Sequence, residues 1–335
     1  MTDSKNNKTE NKEKEDINGW LIVDKPKGIT SADVIRDIKN IMGKVKIGHT
    51  GTLDPMATGV LPVALGQATK IIPYIPDTGK EYEFTIKWGI ETDTGDADGK
   101  VIGRKHYRPT PDKVEPVLES FKGKSMQTPP AFSAIKINGK KAYELARAGE
   151  EVSMEPREII IYDFKRVPSP DKAFAANKNF MSFYVYCSQG TYIRALARDL
   201  AEKLGTCGHL VRLRRLRSGK FNIKDSILLE KLKQMDNLTL RSNFLLPFDT
   251  VLDDISVLAL TEFEARTLVS GMTVPALPLV KNNGGKIEYA SLFRMTYKGK
   301  LVVLARLQGT LFYPARVLVN SVNNIGDDDV DFTGS

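Results

Sequence analysis

Apolar positions first gather at Trp20-Leu21-Ile22-Val23, a short continuous run that predicts a buried strand. Lys25-Pro26-Lys27-Gly28 then turns the chain, and Thr30 with Asp33 forms a capping box ahead of a helix. The apolar face of that helix is Val34, Ile35, Ile38, Ile41 and Met42, with Gly43 suited to its C′ position. Over 81–89, Tyr82, Phe84 and Ile86 alternate with polar residues, the pattern of a half-buried strand. Thr110 and Pro111 open another helix. Residues 180–205 predict a strand, a tight turn and a helix: Phe183, Val185 and Cys187 share one strand face, and Ile193, Leu196, Ala197, Leu200 and Leu204 recur at helical spacing before Gly205. From about 250 the texture changes to short strands, and 299–319 reads as a hairpin bent at Gly309-Thr310. That end of the chain predicts a small, mostly β module.

The length of 335 residues suggests about two domains. No apolar run approaches the ~18 residues that a membrane span needs. Residues 1–17 are polar and of low complexity, which predicts a disordered tail; they hold no apolar segment of the secretory kind, and their acidic residues argue against a transit peptide. Residues 323–335 predict a loose acidic tail. Lys and Arg outnumber Asp and Glu by 49 to 41, a net charge of +8 that favours polyanionic partners. Cys187 and Cys207 show no paired spacing, so a disulfide framework is not expected and a reducing cytoplasm fits. His49, His106 and His209 lie far apart and form no zinc signature with them.

Familiar catalytic signatures are missing. Gly123-Lys124-Ser125 resembles the end of a phosphate-binding P-loop, but Leu118 stands where the loop needs glycine. No Gly-x-Ser-x-Gly or dinucleotide fingerprint occurs. Two stretches remain. The first is 209–220, where Arg212, Arg214, Arg215, Arg217 and Lys220 run without an intervening carboxylate; it reads either as a solvated face or as a track for nucleic-acid phosphates. The second is the loop 48–62, "GHTGTLDPMATGVLP", in which glycines, threonines and prolines surround Asp54. An Asp-Pro turn explains such a residue in most proteins. Yet Gly48, Gly51 and Gly59 permit close backbone approach, and Pro55 biases Asp54 toward extended geometry, so the loop could also hold a carboxylate rigidly toward a cleft. Arg194 stands near a helix start, where the helix dipole disfavours a cation; it needs an anionic partner, and Asp54 is a candidate.

Several segments in order resemble the TruB family of tRNA pseudouridine synthases: "LIVDKPKGITS", the Asp54 loop, "KEYEFTIKWGIETDTGDADG", "QTPPAFSAIKINGKKAYELARAGEEV", "CSQGTYIRALARDLAEKLG" and "GHLVRLRRLRSG". The resemblance covers residues 19 to about 222. It implies an α+β fold: a catalytic domain over 18–250 with a mixed, largely antiparallel sheet of the pseudouridine synthase type, an RNA-binding insertion at about 125–155, and a PUA-like module over 251–322. It implies uridine isomerisation at position 55 of the tRNA T-loop, with no cofactor. Asp54 would be the catalytic aspartate and Arg194 its partner. Tyr82 would stack on the uracil and could assist proton removal. Tyr192, Leu213, Lys25 and His49 would line or support the substrate site, His49 by stacking into the T-loop. Arg212, Arg214, Arg215, Arg217 and Lys220 would meet RNA phosphates. The expected partner is tRNA through its T stem-loop, with no metal and no membrane, and the expected state a cytoplasmic monomer. Two alternatives stand beside this: a guide-RNA-dependent relative, and a non-catalytic RNA-binding or tRNA-folding protein.

Overall fold

The computed structural model describes residues 17–137, 139–150, 152–284 and 292–319. The two tails expected at 1–17 and 323–335 lie outside the described residues, Ile17 excepted. The main sheet is assembled around seven long strands: β1 (Gly19–Lys25), β2 (Thr58–Leu65), β3 (Lys80–Trp88), β4 (Gly123–Gln127), β5 (Arg157–Val167), β6 (Phe180–Cys187) and β7 (Gly208–Ser218). Their order is β1-β2-β7-β3-β6-β5-β4. All neighbours are antiparallel except β2 and β7, which run parallel with Arg215 opposite Gly59. Helices α1 (Ser31–Met42), α2 (Pro111–Glu119) and α3 (Ile193–Lys203) pack on one face. The fold is α+β with a mixed, largely antiparallel sheet, as the sequence led us to expect.

Strand β1 is apolar from Trp20 to Val23 because both its faces are covered there. Leu21 and Val23 point into the core beneath α1, while Trp20 and Ile22 point the other way, into a second core. A strand with one wet face would alternate instead. Strand β2 divides likewise, with Leu61, Val63 and Leu65 on the first side and Val60 and Ala64 on the second. That second core is closed by Leu301, Leu304 and Leu318 from the C-terminal end of the chain. There β8 (Val257–Ala259), β9 (Val274–Pro275), β10 (Phe293–Tyr297), β11 (Lys300–Gln308) and β12 (Leu311–Val317) form a five-stranded sheet of order β8-β10-β11-β12-β9. The β11–β12 hairpin turns at Gly309-Thr310. The sheet has its own core, including Leu268, Phe293 and Phe312.

The capping box at Thr30 and Asp33 forms as predicted: Thr30 Oγ1 accepts from the Asp33 amide, and Asp33 accepts from the Thr30 amide. Where β2 meets β7, only glycine fits. Gly59 has φ +103°, and a Cβ there would collide with the Arg215 carbonyl oxygen. Gly59→Ala is expected to destabilise the fold by about 3 kcal/mol, from backbone strain plus overpacking; urea denaturation would show it as a lower midpoint.

Candidate active site

The Asp54 loop is clamped on both sides of the carboxylate. Before it, the Leu53 amide donates to Ser31 Oγ (2.9 Å), and that hydroxyl lies 3.1 Å from the Leu53 carbonyl. After it, the Pro55 carbonyl accepts from the Gly28 amide at 2.8 Å. Ser31 opens α1 and Gly28 belongs to the Lys-Pro turn, so the turn and the helix start that follow β1 together fix where Asp54 stands.

Lys25, at the end of β1, is fully buried, and its ammonium donates to the carbonyls of Pro26 (2.8 Å), Ile29 (2.7 Å) and Pro55 (3.4 Å). It ties the turn to the loop. Burial pulls its pKa down from 10.5 to about 8; Asp54 opposes that shift and Arg215 adds to it. The unfolded chain therefore binds this proton more tightly than the folded one, and Lys25 makes stability rise with pH between about 8 and 10.5. Lys80, also lowered to about 8, acts in the same sense. Lys25→Met is expected to show a shallower rise across this window, measurable by denaturant titration at several pH values. An unchanged slope would remove Lys25 from the linkage.

Arg194 meets the loop from the start of α3. Its Nε lies 2.9 Å from Asp54 Oδ2, and the guanidinium also donates to the carbonyls of Thr94 (2.9 Å) and Phe132 (2.8 Å). A second carboxylate, Asp96, stands 3.8 Å away. Burial raises the pKa of Asp96, although Thr94 Oγ1 donates to it at 2.6 Å and Arg194 favours its ionised form. The Arg194 side chain is 5% exposed and that of Asp54 35%. The cation is thus enclosed and multiply held, while the carboxylate it orients stays open to an incoming group. Gln127 braces the same helix start: its Oε1 accepts from the Tyr192 amide at 2.9 Å, and its Nε2 donates to the Tyr192 carbonyl at 3.2 Å.

Tyr82 on β3 faces Arg215 on β7 in register, and Leu213 faces Phe84. Both Tyr82 and Leu213 are buried. Burial raises the phenol's pKa against the influence of Arg215 beside it, so Tyr82 is a neutral phenol at neutral pH. His49 sits at the entrance to the loop on a three-residue strand paired with β2. Burial, with Arg215 and Lys80 nearby, lowers its pKa and keeps the imidazole neutral.

The basic stretch departs from the phosphate-track expectation. It forms β7, an interior strand of the sheet. Arg215 is 1% exposed and donates to the carbonyls of Val60 (2.7 Å) and Gly51 (3.0 Å), so its guanidinium is spent on clamping the Asp54 loop. Arg214 is paired with Asp24 (2.7 Å), Arg212 with Glu83 (3.5 Å), Arg217 with Glu81, and Lys220 with Asp254 (3.0 Å). The stretch itself contains no carboxylate; Glu81 and Glu83 come from the adjacent β3, Asp24 from β1 one strand further away, and Asp254 from a segment beyond residue 250. Cross-strand pairs of this kind answer most of its charge.

The TruB family pseudouridylate synthase N-terminal domain matches residues 39–193, and the tRNA pseudouridylate synthase B C-terminal domain matches residues 194–253. A tRNA pseudouridine synthase B of Gluconacetobacter diazotrophicus is 43% identical over 304 residues, 90% of this chain and 97% of that protein. The chain belongs to the TruB family. Another member, the tRNA pseudouridine synthase B of Caulobacter vibrioides, is 44% identical over 262 residues, covering 78% of this chain and 83% of its own. A solved Cbf5-Nop10-Gar1 complex shares the fold, with a TM-score of 0.65 at 24% identity over 90% of this chain and 85% of that one.

Within this TruB-family site, sequence reasoning gave no role to Asp96, Gln127, Lys80 or the Phe132 carbonyl, and it did not foresee that Arg215 holds the Val60 and Gly51 carbonyls. Asp96 lies in the acidic turn of a segment already matched to the family, which was its available signal. Gln127 and Phe132 belong to the stretch assigned to RNA binding, yet they hold Tyr192 and Arg194. Among the described residues, no group of three or more His, Cys, Asp or Glu could hold a metal, and no helix is long and apolar enough to cross a membrane.

Proposed function

We propose that this TruB-family pseudouridine synthase acts on tRNA, at uridine 55 of the T-loop, with Asp54 as the reacting group. The Asp54–Arg194 pair carries this reading: a partly open carboxylate held at 2.9 Å by an enclosed guanidinium. The overall change breaks the N1–C1′ bond, turns the base and forms C5–C1′; the C5 proton leaves and N1 regains one, so no redox partner is needed. The Asp54 carboxylate adds to C6 of the base or to C1′ of the sugar and is released when the new bond is made. Arg194 holds it aimed through the 2.9 Å contact. A uridine in a folded loop must swing out of its stack, which costs a few kcal/mol. Stacking on Tyr82 recovers about 1–3 kcal/mol of that, by analogy with other single-strand sites. As a neutral phenol, Tyr82 suits stacking and proton relay better than direct proton abstraction.

The test uses purified protein with a tRNA transcript carrying tritium at uridine C5. Forming C5–C1′ expels that tritium to water, so stoichiometric release without any guide RNA is expected. No release would contradict the stand-alone enzyme.

A further inference from the structure

A cavity of about 290 Å³ opens beside the Asp54 loop, between that loop, the turn before β3 and the end of β7. It lies near the lower limit of ordinary small-ligand sites, roughly 300–1,000 Å³. Asp54 and Arg194 are not among its lining residues, so it is a neighbouring space and not the reacting centre.

Three residues on its lining carry a polar group that lacks a partner among the described residues. His49 Nδ1 and Thr78 Oγ1 are buried atoms with no hydrogen bond. The ammonium of Lys80, partly buried at the start of β3, makes no hydrogen bond or ion pair among the described residues, and it sits close enough to Gly51 that a Cβ there would meet Nζ at 2.7 Å. The carboxylates on the lining are already engaged. Asp77 accepts from the amides of Gly79 (3.0 Å) and Gln189 (3.1 Å), and Asp254 pairs with Lys220 at 3.0 Å. A lysine has only protons to donate, a threonine hydroxyl can donate, and a neutral imidazole can carry its proton on Nδ1. A ligand that satisfies all three together is an acceptor, and next to the Lys80 ammonium it is an anion. Leaving a cation unanswered in such a place is costly, and pairing it with a phosphate would remove that cost.

We propose that this cavity is a phosphate subsite, in which Lys80, with His49 Nδ1 and Thr78 Oγ1, receives a phosphodiester of the RNA strand adjacent to the uridine at Asp54. The proposal rests on the reading of the chain as an RNA-modifying enzyme. The Gly51 backbone joins the two places: its carbonyl is held by Arg215, and its α-carbon faces Lys80. A phosphate seated there would bear on the loop that positions Asp54.

The test compares the full-length protein with Lys80→Gln, binding a T stem-loop RNA over a range of salt concentrations. Loss of one phosphate contact to a single strand lowers the slope of log K against log salt by about 0.7. The variant is expected to bind about tenfold more weakly near physiological salt with that shallower slope. Its Tm should equal or exceed that of the parent, since a partnerless cation has been removed. An unchanged slope, or a lower Tm with unchanged RNA binding, would overturn the proposal and make Lys80 structural. A methylphosphonate scan of the linkages around the target uridine locates the contact: one neutral linkage should weaken the parent and have no further effect on Lys80→Gln. Equal losses in both proteins at every linkage would contradict it. Inorganic phosphate separates the sources. Competition with RNA that disappears in Lys80→Gln supports the assignment, whereas Lys80-dependent phosphate binding that leaves RNA affinity untouched means a free-ion site and overturns it. Tritium release by the parent protein is read separately, so failure of the catalytic reading is distinguishable from failure of the subsite.

Discussion

Asp54→Ala is expected to slow single-turnover pseudouridine formation by about 10⁴-fold or more, the scale on which enzymes lose rate when a reacting group is deleted. That corresponds to about 5.5 kcal/mol of transition-state stabilisation. The fold should tolerate the change. Asp54 is about one-third exposed, and Arg194 keeps the Thr94 and Phe132 carbonyls and the nearby Asp96. The expected stability loss is about 1 kcal/mol, that of one charge-assisted contact with a partly solvated partner. Binding of tRNA should change by less than about threefold, because an interaction made only in the transition state leaves ground-state affinity alone. A single-turnover rate near the parent's would remove Asp54 from the mechanism. An equal collapse of rate and tRNA binding would instead make it a binding residue.

Arg194→Lys separates charge from geometry. Arginine reaches Asp54, the Thr94 carbonyl and the Phe132 carbonyl at once, from three different nitrogens of one planar group. A single ammonium cannot reproduce that fork. The substitution keeps a positive charge near Asp54 and Asp96 but releases at least one buried carbonyl and loosens the carboxylate. We expect the single-turnover rate to fall by about 10²–10³-fold, in line with misplacing a reacting group by about an ångström. A stability loss of about 2 kcal/mol should accompany it, from acceptors left unsatisfied. If the charge alone mattered, Arg194→Lys would keep nearly full activity, and single-turnover rates on labelled tRNA would show that directly.

The pairing of Asp54 with Arg194 was only partly legible in the residues themselves: a cation at a helix start needs an anion, but an Asp-Pro turn explains Asp54 equally well. The helix dipole asked only for an anion near Arg194, with Asp54 as one candidate; the family resemblance is what named the pair. The arginine stretch shows where such reasoning stops. Its local sequence lacks carboxylates, so charge counting made it a free basic strip. Strand pairing then brought Glu81 and Glu83 alongside, Asp24 reached across from β1 beyond the intervening β2, and the register turned Arg215 inward. Which face an arginine takes in an interior strand depends on the neighbouring strands and on the irregularities in their pairing, here between Leu210 and Arg212 and between Arg215 and Arg217. Lys25 was placed near the site by resemblance, but its three carbonyl acceptors come from turn geometry that no periodicity encodes. Strand β1 was legible as buried; its division between two cores depended on how the C-terminal sheet docks.

The central claim is that the chain, unaided by a guide, uses Asp54 to isomerise one T-loop uridine. Its most direct test is nucleotide-resolution mass spectrometry of an unmodified tRNA transcript after incubation with the purified protein or with Asp54→Ala. The account predicts a single pseudouridine at position 55 with the parent protein and none with the variant. Pseudouridine elsewhere in the tRNA, or at position 55 in equal yield with Asp54→Ala, would contradict it.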